Sequence, residues 1–88
     1  MSDTSNDTIS ILHVDDEPEF AELTATFLER ENSRFAVETT TSASAALEWM
    51  DRQLPDCVVS DYDMPGQNGI EFLETVRQDH PELPFVLY

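Results

Sequence analysis

Three aspartates of this sequence could do chemistry together, because each follows a short apolar run. Asp15 and Asp16 come directly after residues 9–14, and Asp61 follows the run that begins at Cys57. Carboxylates gathered in one small pocket repel each other, so a shared proton or a bound cation must relieve the repulsion. Oxygen ligands from one or two carboxylates, completed by water, suit Mg²⁺. A carboxylate beside such a cation can also attack phosphorus and form an acyl phosphate.

The elements that must position these aspartates alternate between strand and helix. Apolar, β-branched runs predict four strands, at residues 9–14, 35–38, 57–59 and 84–88. Apolar residues at helical spacing predict three helices between them, through Phe20, Leu23, Phe27 and Leu28, then Ala46, Leu47 and Met50, then Ile70, Leu73 and Val76. This order predicts an α/β fold with a doubly wound parallel sheet and helices on both faces.

In such a sheet, sites form outside the carboxyl ends of the strands, beside the point where the strand order reverses. The predicted first strand ends at Asp15 and Asp16, and the third ends at Asp61. We therefore expect the three carboxylates to meet. Each aspartate alone could simply cap the helix that follows it, and it is their joint occurrence that favours a site.

The composition is strongly acidic. Nineteen Asp and Glu residues stand against four arginines and no lysine, giving a net charge of −15. Such a surface repels nucleic-acid phosphates and anionic lipid headgroups, so we expect neither direct nucleic-acid binding nor membrane binding. A halophilic, high-salt cytoplasm would explain the bias, because molar salt screens the repulsion. The absence of a long apolar run favours a cytoplasmic protein, with residues 1–8 as a disordered acidic tail.

Further motifs make the pattern specific. The sequence Asp15-Asp16-Glu17-Pro18 follows an apolar strand, Asp61 follows Val58-Val59-Ser60, and a loop with Met64-Pro65-Gly66 and Asn68-Gly69 comes next. This combination resembles the receiver domain of two-component response regulators, from about residue 9 to residue 88. The resemblance implies a flavodoxin-like fold and a signalling module in place of an enzyme.

By this resemblance, Asp61 would accept a phosphoryl group from the phosphohistidine of a sensor histidine kinase or phosphotransfer protein. Asp16 would ligate Mg²⁺ directly, Asp15 would act mainly through metal-bound water, and Asp63 would offer its backbone carbonyl. The Asp63 side chain would influence how fast the phosphoryl group is gained and lost.

The resemblance also implies parts beyond Tyr88. Receivers have a Ser or Thr at the end of strand four, a Lys at the end of strand five, and helices four and five. The sequence stops before all of these. We expect an incomplete receiver at residues 9–88, truncated after strand four, from a polypeptide that continues or from a degraded gene. Homodimerisation is expected only where the missing part is present.

Three alternatives compete with this interpretation. One is a receiver-like interaction module that never takes phosphate. Another is an aspartate-nucleophile phosphohydrolase, because Asp61-Tyr62-Asp63 fits its Asp-x-Asp motif, although Pro65 stands where Thr or Val is usual. An EF-hand calcium loop also matches at Asp61, Asp63 and Gly66, but it lacks the bidentate acid because its last position is Phe72.

Two further residues are expected to be structural. His13 lies within the first predicted strand, so we expect it to be packed or half exposed and not to act as a phosphohistidine or a metal ligand. Cys57 is the only cysteine, which excludes an intramolecular disulfide and favours a small buried side chain.

Overall fold

The computed structural model describes residues 8–88, so the predicted tail lies outside the described residues except for the exposed Thr8. Four strands alternate with three helices: β1 (Ile9–Val14), α1 (Pro18–Glu31), β2 (Phe35–Thr40), α2 (Ala43–Met50), β3 (Cys57–Ser60), α3 (Gly69–Asp79) and β4 (Phe85–Leu87). The predicted element order is confirmed. Among these residues, no helix is both long and apolar enough to span a bilayer.

The sheet is parallel throughout, with strand order β2-β1-β3-β4. Strand β2 lies on one side of β1, and the next strand in the sequence, β3, lies on the other side of β1. Because parallel crossovers are right-handed, this reversal places α1 on one face and α2 and α3 on the opposite face. The predicted doubly wound sheet is therefore confirmed, and its switch point lies between the carboxyl ends of β1 and β3.

The main core lies between the sheet and the pair α2 and α3. Leu12, Val14 and Val58 project from the sheet and are fully buried against side chains of the two helices. The helices contribute Ala43, Ala46, Met50, Phe72 and Val76 to this cluster. Phe72 and Phe85 meet edge to face with ring centroids 5.4 Å apart.

Local hydrogen bonds define the helix that begins beside the third strand. Asn68 accepts a hydrogen bond from the Glu71 amide at 2.9 Å, and the Glu71 carboxylate accepts one from the Asn68 amide at 3.0 Å. This arrangement is a capping box, and it satisfies amide groups that have no partner within the helix. It fixes the start of α3 next to Asp61.

Of the four large residues that indicate helix α1 in the sequence, only Leu28 is partly buried. Phe20, Leu23 and Phe27 are exposed, whereas Ala21 is buried. The inward stripe consists of Ala21, Thr24, Ala25 and Leu28, which recur at positions i, i+3, i+4 and i+7. Small side chains make up most of this inward stripe, and the larger Phe20 and Phe27 lie outside it.

The outermost strand β2 has one of its amide groups protected by α1. The Glu29 carboxylate accepts a hydrogen bond from the Val37 backbone N–H at 2.9 Å. An edge strand otherwise presents unpaired backbone donors to solvent. This contact joins α1 to the strand it packs against.

Candidate functional site

The structure brings Asp15, Asp16 and Asp61 together at the switch point of the sheet. One carboxylate oxygen from each lies within 4.8 Å of the other two. Asp15 is buried, while Asp16 and Asp61 are partly exposed. Their backbones are anchored by neighbouring strands, because the Asp15 amide donates to the Thr40 carbonyl at 3.0 Å and the Asp61 amide to the Val14 carbonyl at 2.9 Å.

Both oxygens of the Asp15 carboxylate already accept a hydrogen bond. The Glu17 backbone N–H donates to Oδ1 at 2.9 Å, and the Tyr88 hydroxyl donates to Oδ2 at 2.5 Å. A distance this short is typical of a hydroxyl that donates to a charged oxygen. The carboxylate is therefore held in one orientation by two donors that bear no positive charge.

His13 contacts Tyr88 through a hydrogen bond and through ring stacking. Its Nε2 lies 2.8 Å from the Tyr88 hydroxyl oxygen, and the two rings stack with centroids 5.8 Å apart and planes 11° from parallel. Because the single hydroxyl proton of Tyr88 goes to Asp15, its oxygen must accept from His13, which assigns the proton of the imidazole to Nε2. The buried Nδ1 has no hydrogen-bond partner within residues 8–88.

The neutral imidazole agrees with its surroundings. Burial lowers the pKa of His13, and the charges of Asp15 and Asp61 only partly oppose that effect. A protonated ring would also leave a buried Nδ1–H without an acceptor. Of the two environments expected for His13, packed or half exposed, the structure has the packed one, because its side chain is inaccessible to solvent.

Asp61 is held more loosely than Asp15. Within the described part of the chain, one donor reaches its carboxylate: the Asp63 backbone N–H, at 3.1 Å from Oδ1. This leaves Oδ2 without a hydrogen bond from those residues. A partly exposed carboxylate with one restrained and one unrestrained oxygen can act as a nucleophile toward an approaching group.

Helix α3 begins against the Asp61 backbone, and Gly69 makes this approach possible. A Cβ at position 69 would lie 2.6 Å from the Asp61 carbonyl oxygen, and the Gly69 amide donates to the Tyr62 carbonyl at 2.8 Å. Gly66, in the preceding loop, has φ of +80°, a conformation that side chains disfavour. The two glycines thus shape the loop after Asp61 for different reasons.

The residues present fit a hard divalent cation. All three side chains offer oxygen atoms, they converge closely, and the sequence has no lysine that could neutralise them. The Asp63 side chain is exposed and is not among the converging groups. Ligation by its backbone carbonyl remains a prediction.

Comparison with known proteins decides the family. The family described as "Response regulator receiver domain" matches residues 11–88. The chain belongs to that family. The resemblance found in the sequence motifs is thereby confirmed, as is the flavodoxin-like fold. This chain is therefore a receiver domain of the kind found in two-component response regulators.

Individual relatives agree with this assignment. The receiver domain is 39% identical over 71 residues to "Response regulator Rre1" of Synechocystis sp., covering 81% of this chain and 30% of that protein. Among solved structures, the N-terminal domain of a response regulator receiver protein from Methanoculleus marisnigri superposes with a TM-score of 0.81 at 31% identity, covering 89% of this chain and 63% of that one. Chemotaxis response regulator CheY4 of Vibrio cholerae gives 0.82 at 26% identity, covering 91% and 67%.

Sequence reasoning missed one participant at the site. The strand pattern gives Tyr88 only as the last residue of the fourth predicted strand, yet its hydroxyl reaches Asp15 across the intervening strand β3. The available signal was its place at the carboxyl end of the next parallel strand, where side chains approach the same edge of the sheet.

Proposed function

We propose that this receiver domain is the phosphoacceptor of a two-component phosphorelay, which takes a phosphoryl group from a phosphohistidine of a sensor histidine kinase or phosphotransfer protein onto Asp61. The observation that supports the proposal is the convergence of three carboxylates within 4.8 Å at the switch point of the sheet. A purely structural role would not require this concentration of negative charge at one partly exposed edge.

The proposed step is a transfer between two covalent phosphoryl carriers. An oxygen of the Asp61 carboxylate forms a bond to phosphorus while the bond from phosphorus to the imidazole nitrogen breaks. The electron pair of that bond leaves with the imidazole, which takes up a proton from solvent. The Asp63 amide restrains Oδ1 of Asp61 at 3.1 Å, so Oδ2 is the oxygen that the local contacts leave open for attack.

The proposal includes Mg²⁺ as the cofactor. Asp16 and Asp61 would hold it, with the Asp63 backbone carbonyl as a further ligand and Asp15 acting through bound water. When bound, Mg²⁺ would neutralise negative charge on the phosphoryl oxygens. The Asp15 carboxylate is buried, and two hydrogen bonds hold it in one orientation.

The test is intact mass spectrometry after incubation with acetyl phosphate, with and without Mg²⁺, at high KCl. We expect one phosphoryl adduct that requires Mg²⁺ and disappears in Asp61→Asn. Asp51→Asn is the matched control, because Asp51 is an exposed aspartate at the end of α2. This control should be labelled like the parent chain.

The outcomes separate the proposal from its alternatives. A folded parent chain that takes no phosphate would favour the phosphorylation-independent interaction module. Adduct formation that persists in Asp61→Asn would place the acceptor elsewhere. Steady release of inorganic phosphate from a phosphomonoester would favour the aspartate-nucleophile phosphohydrolase.

A further inference from the structure

We propose that Tyr88, supported by His13, is a positioning residue that makes the carboxylate cluster select Mg²⁺ over Ca²⁺. This inference rests on the proposed function, because it concerns the same cation site. Tyr88 would act through Asp15 without touching the cation or the phosphoryl group. Its hydroxyl would keep Asp15 in the orientation that serves a metal-bound water.

The first step of the argument is how completely Asp15 is restrained. A carboxylate oxygen has two lone pairs, and each oxygen of Asp15 already uses one, toward the Glu17 amide and the Tyr88 hydroxyl. Only one acceptor direction remains on each oxygen. A restrained, buried carboxylate of this kind is suited to accept a hydrogen bond from a water molecule and is poorly suited to bind a cation through both oxygens.

The second step is that His13 holds the Tyr88 hydroxyl in place. The Tyr88 hydroxyl accepts from His13 at 2.8 Å while it donates to Asp15 at 2.5 Å, so a continuous chain of donors runs from the imidazole to the carboxylate. The stacked rings limit rotation of the tyrosine.

The third step connects this restraint to the identity of the cation. Mg²⁺ demands near-octahedral geometry, keeps several waters and uses few protein ligands, whereas Ca²⁺ takes six to eight oxygens and accepts bidentate carboxylates in flexible sites. Holding Asp15 back limits the number of direct ligands. Removing the Tyr88 hydroxyl would free the carboxylate to rotate and coordinate directly, which benefits Ca²⁺ more than Mg²⁺.

The experiment is isothermal titration calorimetry of the whole chain with Mg²⁺ and with Ca²⁺, at constant ionic strength. The measured quantity is the ratio of the Ca²⁺ and Mg²⁺ dissociation constants. In Tyr88→Phe we expect this ratio to fall about tenfold, the lower end of the effect of residues that orient metal ligands. Tyr62→Phe is the matched control, because the Tyr62 hydroxyl has no hydrogen-bond partner within residues 8–88, and its ratio should equal that of the parent chain.

A second variant covers the case in which Tyr88→Phe does not fold, which far-UV circular dichroism would reveal. His13→Phe keeps an aromatic ring beneath Tyr88 but removes the Nε2 donor, so its ratio should shift in the same direction by a smaller factor. An unchanged ratio in the folded variants overturns the inference, whether or not both affinities change together.

The two proposals fail in different ways. If the parent chain binds neither cation more tightly than Asp61→Asn does, the cation site itself is absent and the proposed function fails. If the parent chain binds Mg²⁺ through Asp61 but Tyr88→Phe keeps the parent ratio, only the role of Tyr88 is refuted.

Discussion

Replacement of Gly69 by alanine should loosen the start of α3 from the strand that presents Asp61. The added Cβ would lie 2.6 Å from the Asp61 carbonyl oxygen, 2.6 Å from the Leu87 side chain and 2.8 Å from the Tyr62 Cα. Two of these three atoms belong to the backbone, so a rotamer change cannot relieve the clash. Ordinary contact begins near 3.4 Å, so the helix and the Asp61 loop must separate by about 0.8 Å.

The expected cost follows from two opposing effects. Overpacking that shifts backbone typically costs about 1–3 kcal/mol. Alanine restricts the unfolded chain more than glycine does, which offsets about 0.4–1 kcal/mol of that cost. We expect Gly69→Ala to lower the free energy of unfolding by about 1–2 kcal/mol, a large part of the stability of so small a domain.

Urea denaturation, followed by far-UV circular dichroism and by the fluorescence of Trp49, measures this change. Gly66 provides the control, because a Cβ there meets nothing within 4 Å and only its φ of +80° is unfavourable. Asparagine tolerates that conformation, so Gly66→Asn should be milder than Gly66→Ala, whereas Gly69→Asn should be no milder than Gly69→Ala. A Gly69→Ala chain as stable as the parent would refute the close-approach argument.

Three other predictions concern the core, the cysteine and the charge. Phe72→Ala should lower the free energy of unfolding by about 3–5 kcal/mol because Phe72 is fully buried. Phe27→Ala should lower it by under about 1 kcal/mol because Phe27 is 58% exposed. Equal shifts of the melting temperature in the two variants would contradict this assignment. Burial raises the pKa of Cys57 above its ordinary 9.0, and the nearby Asp56 charge adds to the effect. Iodoacetamide at pH 8 should therefore alkylate Cys57 more slowly in the folded chain than in the urea-unfolded chain. Equal rates would show that folding does not protect the thiol. The folded chain binds the Cys57 proton more tightly than the unfolded chain does. This contribution to the free energy of unfolding is complete below pH 9.0 and declines as the pH rises through the pKa of the folded chain. Added KCl should raise the urea midpoint because it screens the repulsion among a net charge of −15, and a flat or falling midpoint would argue against a halophilic origin for the acidic bias.

Most of the fold could be predicted because local signals and tertiary structure agree. The first strand ends directly before the pair Asp15 and Asp16, and the capping box at Asn68 marks the start of α3. The second strand extends to Thr40, two residues beyond its prediction, because Thr39 and Thr40 pair with His13 and Val14 of the adjacent strand. That pairing depends on a neighbour that local pattern does not contain.

The burial of α1 and the environment of Asp15 could not be predicted for a related reason. Helical spacing shows that Phe27 belongs to a helix, but it does not show which of two adjacent stripes contacts the sheet. The convergence of the three aspartates followed from strand ends alone. The contact of Tyr88 with Asp15 depends instead on a side chain that reaches across β3. The strand pattern places Tyr88 at the same edge of the sheet but does not show the direction of its side chain.

The hydrogen bond from Val37 to Glu29 affects how readily this protein associates with other copies of itself. A parallel sheet can grow when a strand of another molecule takes up the vacant donors along its margin, which is how many small domains begin to aggregate. Here a carboxylate from the same molecule already occupies one donor of β2 and adds a negative charge beside it. A strand approaching from a second copy would have to displace that carboxylate, and the strongly acidic surface of both molecules opposes the approach.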